Sequence, residues 1–384
     1  MSDWRIPLSD LDYGPEEETA VLRVLKSKWL SMGPEVQVFE KEFAEYVGTK
    51  YAFGVSNGTA ALHLCYLAIG LGPGDEIIQP AINFVAVANM TVAVGSTPVF
   101  ADICGVDEPT IDPADLERRI TSQTKAVVVM HYGGYLCRMA EIKEICERHG
   151  LFLIEDACHA VGARYIDPQE RHPHNKMAGD IGDIAAFSFF SNKNLATGEG
   201  GMVVTNRDDL AERVRLLRSH GMTTLTWDRH KGHASSYDVT LNGYNYRFDE
   251  LRAALGRCQL VKLKKNNERR RALVSAYRQN LSTLPDWVIP FNSYRGDSAY
   301  HLMVAVAPTE EIRLQTVQNL AKQRIQTSLH YPFLPGFSAF KNFQTKGLAR
   351  SVSFASRVIT LPLFPTLTLS DVEEICACIG HAAR

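Results

Sequence analysis

Residues 51–69 read YAFGVSNGTAALHLCYLAI, and this stretch sets the fold. Tyr51–Val55 has the aromatic and β-branched character of a strand, Ser56-Asn57-Gly58 breaks it, and Thr59–Ile69 continues as a helix. The rhythm repeats outward. Glu76–Gln79 reads as a strand and Phe84–Val94 as a helix; Pro98–Ala101, Ala126–Met130 and Phe152–Ile154 are further apolar runs. Met139–Arg148 carries helical spacing at Ile142, Ile145 and Cys146. Ile184–Phe189 and Met202–Val204 add two strands with no long helix between them, and Asp208–Ser219 is a charged helix. This pattern predicts an α/β fold, a mainly parallel seven-stranded sheet with helices on both faces. Ligands of such sheets bind at the carboxyl ends of the strands.

After residue 250 the character changes. Leu251–Leu281 reads as one long helix or two abutting ones, carrying Lys262, Lys264, Lys265 and Arg269–Arg271 as a solvated basic face. Shorter strands such as His301–Val306 and further helices then suggest a smaller C-terminal α/β domain. The expected division is an N-terminal segment over 1–20, a large domain over 21–255 and a small one over 256–384. The 384 residues are 45% hydrophobic and 22% charged, with a formal net charge of −2. No global basic field attracts nucleic acid or an anionic membrane. No basic, apolar leader opens the chain, and no apolar run is long enough for a span, so a cytoplasmic protein is expected. Eight cysteines, at 65, 104, 137, 146, 158, 258, 376 and 378, form no Cys-x-x-Cys pair and read as free thiols.

Three stretches carry chemistry. In SFFSNKNLATGEGG (188–201) a strand ends, a polar turn presents Lys193, and glycines at 198, 200 and 201 let the backbone turn or approach a ligand. Alone, a loop lysine is ordinarily just solvated. In Phe152-Leu-Ile-Glu-Asp156-Ala-Cys-His159 the apolar lead places Asp156 at the end of a buried strand, where a carboxylate needs a cationic partner. The pyridinium nitrogen of pyridoxal 5′-phosphate (PLP) is one such partner, and a salt bridge to Arg or Lys is the other. In Val55-Ser-Asn-Gly58-Thr59 a strand runs into a helix N-terminus, which attracts phosphate, and Ser188 adds a hydroxyl. A dinucleotide fingerprint is missing here, as is a P-loop.

In that chain order, phosphate cradle, buried acid and loop lysine resemble the fold-type I aminotransferases, and more closely the DegT/DnrJ/StrS sugar aminotransferases. The resemblance covers nearly the whole chain. It includes Phe39-Glu40, SNGTAAL (56–62), GDE (74–76), Glu155-Asp156-Ala157, the 188–201 segment, GYNYR (243–247) with AALG and QL after it, HY (330–331) and LPLFP (361–365). It implies that Lys193 holds PLP as a Schiff base, that Asp156 pairs with the ring nitrogen, and that Gly58, Thr59 and Ser188 bind the phosphate. It implies that Phe84 stacks on the ring, against the alternative of core packing at a helix start. His159 is expected near the cofactor's phenolic oxygen. The resemblance further implies a homodimer in which Asn245 reaches the phosphate of the neighbouring subunit, and it makes Arg247 and His330 candidates for substrate contact. The implied reaction moves an amino group from glutamate or glutamine to a keto sugar, through pyridoxamine 5′-phosphate. His159 tilts the acceptor toward a nucleotide-linked 4-keto hexose.

Other readings remain open at this point: a keto-cyclitol acceptor, another PLP-dependent carbon–nitrogen reaction, and a non-catalytic regulator on the same fold. Related sugar dehydratases have His where this chain has Lys193. The sequence also departs from the family. Asn83 stands where Thr is usual, Asp167–Gly179 reads as a lengthened surface hairpin, and Met222–Val239, with Trp227, His230, His233 and Tyr237, reads as a substrate-facing lid. His230 and His233 without further ligands do not make a metal site, so no metal is expected.

Overall fold

The computed structural model describes residues 4–166, 176–224, 236–343 and 346–382. The seven expected strands are β1 (Tyr51–Val55), β2 (Glu76–Pro80), β3 (Thr97–Ala101), β4 (Thr124–Met130), β5 (Phe152–Asp156), β6 (Ile184–Ser188) and β7 (Gly201–Thr205). They form one sheet in the order β1-β7-β6-β5-β4-β2-β3. Pairing is parallel from β3 through β2, β4 and β5 to β6, whereas β7 runs antiparallel to β6 and β1. The carboxyl ends of β1, β2, β4, β5 and β6 therefore share one edge, and the connection from β6 to β7 turns over that same edge.

Both faces of the sheet are covered. On one lie α3 (Gly58–Ala68), α4 (Ala86–Ala93) and α7 (Asp208–Leu217). On the other lie α2 (Pro34–Val47), α5 (Pro113–Arg118), α6 (Met139–His149) and part of α8 (Glu250–Leu281). The pleat sorts residues between the two: Val127 and Val129 of β4 join Phe39, Phe43 and Ile142, while Ala126 and Val128 join Leu62 and Val214. A strand buried on both sides is apolar at most positions, which is why the alternation of a half-exposed strand is missing here.

The long basic stretch is a single 32-residue helix, α8, capped by Asp249, whose side chain accepts from the N–H of Arg252. It packs on α1 (Pro15–Ser27) and α2 at its start. Its second half enters another core, where Leu273, Val274 and Tyr277 meet β8 (Met303–Val306), β9 (Val358–Leu361), α9 (Glu310–Lys322) and α11 (Leu369–Ala382). Helix α10 (Ala349–Arg357) leads directly into β9. Several of its cations are not the solvated face expected. Lys262 pairs with Glu16 and Glu17, Arg269 donates to the carbonyl of Leu367, and buried Arg270 donates to that of Leu363.

The helix expected from Phe84 begins instead at Ala86. The Asn83 carboxamide oxygen accepts from the N–H of Phe84 at 2.6 Å, and the first helical bond runs from the Asn89 N–H to the Val85 carbonyl. Residues 167–175 of the expected hairpin lie outside the described residues; at its flanks the N–H of Tyr165 donates to the carbonyl of Lys176. Among the described residues, no helix is long and apolar enough to cross a membrane.

Candidate active site

A cavity of about 610 Å³ opens at the shared carboxyl edge of the sheet. It collects residues from the ends of five strands: Gly58 and Thr59 after β1, Phe84 after β2, Met130 of β4, Asp156 of β5 and Ser188 of β6. Lys193 joins them from the β6–β7 connection. That connection is tied down by the Phe189 N–H to the Gly200 carbonyl and by the Lys193 N–H to that of Phe190, both 2.8 Å. Gly198 sits at φ +84°, a conformation other residues rarely adopt. Asn194, which the sequence reading passed over, anchors the turn. Its Nδ2 donates to Asn267 Oδ1 at 2.8 Å and to the Ala299 carbonyl at 2.7 Å, and its Oδ1 accepts from His301 Nδ1 at 2.9 Å.

At one end of the cavity is the N-terminus of α3. Asn57 caps it, its Oδ1 accepting from the N–H of Ala60 at 2.8 Å and its carbonyl from that of Ala61 at 3.1 Å. The amides of Gly58 and Thr59 are left without a partner among the described residues. Ser188 faces them so closely that a Cβ at Gly58 would lie 2.8 Å from the Ser188 Cβ. The Ser188 Oγ accepts from the N–H of Phe190 at 3.4 Å, so its own hydrogen remains to be donated. Two free amides, a hydroxyl and a positive dipole end make a cradle for a phosphate.

Asp156 is 3% exposed, and among the described residues it forms no salt bridge, so the Arg or Lys partner considered above is missing. Burial raises its pKa, against the opposing influence of Cys158, Lys193 and His131. Lys193 shows the converse: burial lowers its pKa, with Cys158 and Asp156 acting against the shift. The carboxylate thus lacks the cation that its position demands. The neighbouring Glu155 points to the opposite side of the strand and is fully satisfied. It accepts from Gly179 and Ile181 amides at 2.9 Å, from Gly182 at 2.6 Å, and meets His131 Nε2 at 2.8 Å. Burial works to raise its pKa, but His131 and these amides outweigh burial and hold it below the usual value. Glu155 therefore locks the end of β5 and so the placement of Asp156.

His159 is 5% exposed, and burial, with the charge of Lys193 next, lowers its pKa well below the usual value. Its Nδ1 accepts from the N–H of Gly133 at 3.4 Å, so the proton of the neutral ring sits on Nε2. That nitrogen donates to the Tyr331 hydroxyl at 2.8 Å, and the Tyr331 hydrogen is left to point elsewhere. Tyr331 is a cavity residue that the sequence reading missed, although the HY motif contained it. His330 also lines the cavity; burial and Lys193 bring its pKa down to about 4. Phe84 is 51% exposed with its ring 5.9 Å from that of Tyr331, which removes the core-packing alternative.

The cavity wall of this chain includes neither Asn245, which is exposed, nor Arg247, whose backbone bridges to Val55. Trp227, His230 and His233 lie outside the described residues, and Tyr237 is exposed. Among the described residues no cluster of His, Cys, Asp or Glu could hold a metal ion.

A mainly parallel sheet with a half-buried lysine, a buried acid without a salt bridge and a helix N-terminus at one edge fits the fold-type I aminotransferases. The profile of the DegT/DnrJ/EryC1/StrS aminotransferase family matches residues 12–380, and the chain belongs to that family. It is therefore an enzyme of a PLP-using sugar aminotransferase family. It is 39% identical over 381 residues to the spore coat polysaccharide biosynthesis protein SpsC of Bacillus subtilis, covering 97% of this chain and 95% of that protein. Among solved structures it resembles PseC of Helicobacter pylori, an aminotransferase involved in pseudoaminic acid biosynthesis, at 30% identity and a TM-score of 0.89. It also resembles DesV of S. venezuelae, solved in complex with a ketimine intermediate, at 34% identity and a TM-score of 0.88; both matches cover 99% of each chain.

Proposed function

We propose that this enzyme transfers the amino group of glutamate or glutamine to a keto sugar, favouring a nucleotide-linked 4-keto hexose, as a cytoplasmic homodimer. The observation that carries this reading is Asp156, a buried carboxylate without a cation, sharing one cavity with the Lys193 amine and the α3 phosphate cradle. These residues fit PLP. Its phosphate would rest on the amides of Gly58 and Thr59 and on the Ser188 hydroxyl, its aldehyde would be held by Lys193, and its ring nitrogen would face Asp156. When bound, PLP supplies an electron sink for the carbanion formed at the donor's α-carbon.

The chain's own residues do the rest. Asp156 would hold the proton on the ring nitrogen, which keeps the sink effective. Lys193 Nζ, its pKa lowered by burial, moves a proton to and from the reacting carbon. Phe84, which lines the cavity, would cover one face of the ring and keep water away. His159, neutral and tied to Tyr331, supplies directional hydrogen bonding without adding charge. Asn245 lies exposed and outside its own chain's cavity wall, which supports its reaching the partner subunit's phosphate. Arg247 and His330 are assigned to the acceptor. The pathway roles printed for SpsC and PseC support a sugar as that acceptor.

The test begins with protein loaded with PLP and reduced with borohydride; the label should map to Lys193, and Lys193→Ala should lose both label and turnover. Protein carrying pyridoxamine 5′-phosphate is then offered 3-keto sugars, 4-keto sugars and keto-cyclitols while its absorbance is followed. Absence of label at Lys193 refutes the cofactor assignment, and reaction with cyclitols alone refutes the sugar acceptor.

A further inference from the structure

In the wall of the cavity, two buried polar atoms have no hydrogen-bond partner among the described residues: Nδ2 of Asn83 and Oδ1 of Asn192. Asn192 is only half-buried, so solvent is within easy reach of its side chain. Asn83 is 1% exposed. The orientation of its carboxamide is fixed, because the N–H of Phe84 donates to its Oδ1 at 2.6 Å and a flipped amide would set N–H against N–H. Both Nδ2 hydrogens therefore remain unused. A buried donor left this way costs about what a lost hydrogen bond costs, and chains seldom keep one without a reason.

The surroundings say what that donor would meet. Ile82 bridges antiparallel to Phe333, and the ring of Phe84 meets that of Tyr331 at 5.9 Å. Asn83 thus belongs to the wall where the 81–84 and 330–333 segments run side by side. On that wall the lone pair of the Tyr331 hydroxyl is occupied by His159 Nε2–H, which leaves Tyr331 as a donor too. Its groups are uncharged hydrogen-bond donors, matched to an oxygen with a lone pair and unsuited to an amine. An asparagine side chain is longer than a threonine's and carries two donor hydrogens where a hydroxyl carries one.

We propose that Asn83 is a ligand-binding residue whose carboxamide donates a hydrogen bond to an oxygen of the molecule filling the cavity. That oxygen is the phenolic oxygen of the cofactor or a keto or hydroxyl oxygen of the acceptor. The proposal rests on the transaminase reading above and adds to it a residue to which that reading gives no role.

Two variants test it. Asn83→Asp keeps the acceptor for the Phe84 N–H and replaces the donor with oxygen, and Asn83→Thr installs the residue usual in relatives. Melting temperatures of the cofactor-free proteins check that both fold. The first readout is spectroscopic, on PLP-bound protein without substrate: a change of about one pH unit in the midpoint of the absorbance titration assigns the donor to the cofactor oxygen. The second separates the half-reactions. A fall of about tenfold in kcat/KM for the acceptor, with the amino-donor half-reaction within about twofold, assigns it to the acceptor oxygen. The inference is overturned if Asn83→Asp leaves the midpoint in place and both half-reactions within about twofold of the parent, since the amide then serves no ligand. Failure of the parent itself to bind PLP is a different result, and it overturns the transaminase reading together with this inference.

Discussion

Gly58→Ala probes the phosphate cradle at its tightest point. The added Cβ would lie 2.8 Å from the Ser188 Cβ, 3.2 Å from its Oγ and 3.3 Å from the Cys158 Sγ. Two effects compete. Alanine in a helix gains at most about 1 kcal/mol over glycine. Wedging a methyl between packed groups costs about 1–3 kcal/mol, so the clash should win. Ser188 ends a central strand and cannot retreat without disturbing its pairing with Gly201, so its hydroxyl is pushed off the helix terminus. Losing one hydrogen bond to a charged phosphate is worth about 1.5–3 kcal/mol, which weakens PLP binding by about tenfold to a hundredfold. The assay is an equilibrium titration of cofactor-free protein with PLP, in parallel with pyridoxal, which has no phosphate. Pyridoxal affinity should change by less than about threefold, because the lost contact belongs to the phosphate. Adding Ser188→Gly to Gly58→Ala should recover melting temperature by removing the overlap, yet leave PLP binding weak. Gly58→Ala protein that binds PLP within about twofold of the parent would refute the cradle.

Two further outcomes concern the neighbouring carboxylates. Glu155→Gln keeps the size of the side chain but removes the charge that His131 and three amides surround, and it should lower stability by about 3 kcal/mol, read as a clear drop in melting temperature. Because the folded protein holds Glu155 below its usual pKa, its contribution is present above the ordinary carboxylate range and fades as pH falls through the folded value. Asp156→Asn should act in the opposite sense on the cofactor-free protein. Burial raises the Asp156 pKa, so the wild type is penalised as pH rises through the folded value, and the variant should melt higher at neutral pH with an advantage that shrinks on acidification. An advantage that grew on acidification would refute the unpaired carboxylate. The same substitution should slow proton transfer severely in the loaded enzyme.

The sheet was legible in the sequence because burial on both faces demands an apolar residue at most strand positions, and such runs are visible locally. The runs at 126–130 and 184–188 became strands for that reason. Asp156 and Lys193 were legible for a related reason: each lies two or three residues past the last apolar residue of a run, Ile154 and Phe190, at the carboxyl edge of the sheet. Helix boundaries were less so. Phe84 fell outside α4 because the first helical bond is accepted by the Val85 carbonyl, and apolar periodicity does not record where that first bond forms.

Contacts across long stretches of chain were decided only by the tertiary structure. Tyr331 reaches His159 across 172 positions, and Asn194 is held by His301 across 107. Nothing in the local pattern of either segment fixes which surface it will meet, since that depends on how β8, β9 and α8 close over the sheet edge. Protonation follows the same logic. The neutral state of His159 and the shifted acid and lysine are consequences of excluded water, and a sequence fixes which groups can titrate while packing fixes whether water reaches them.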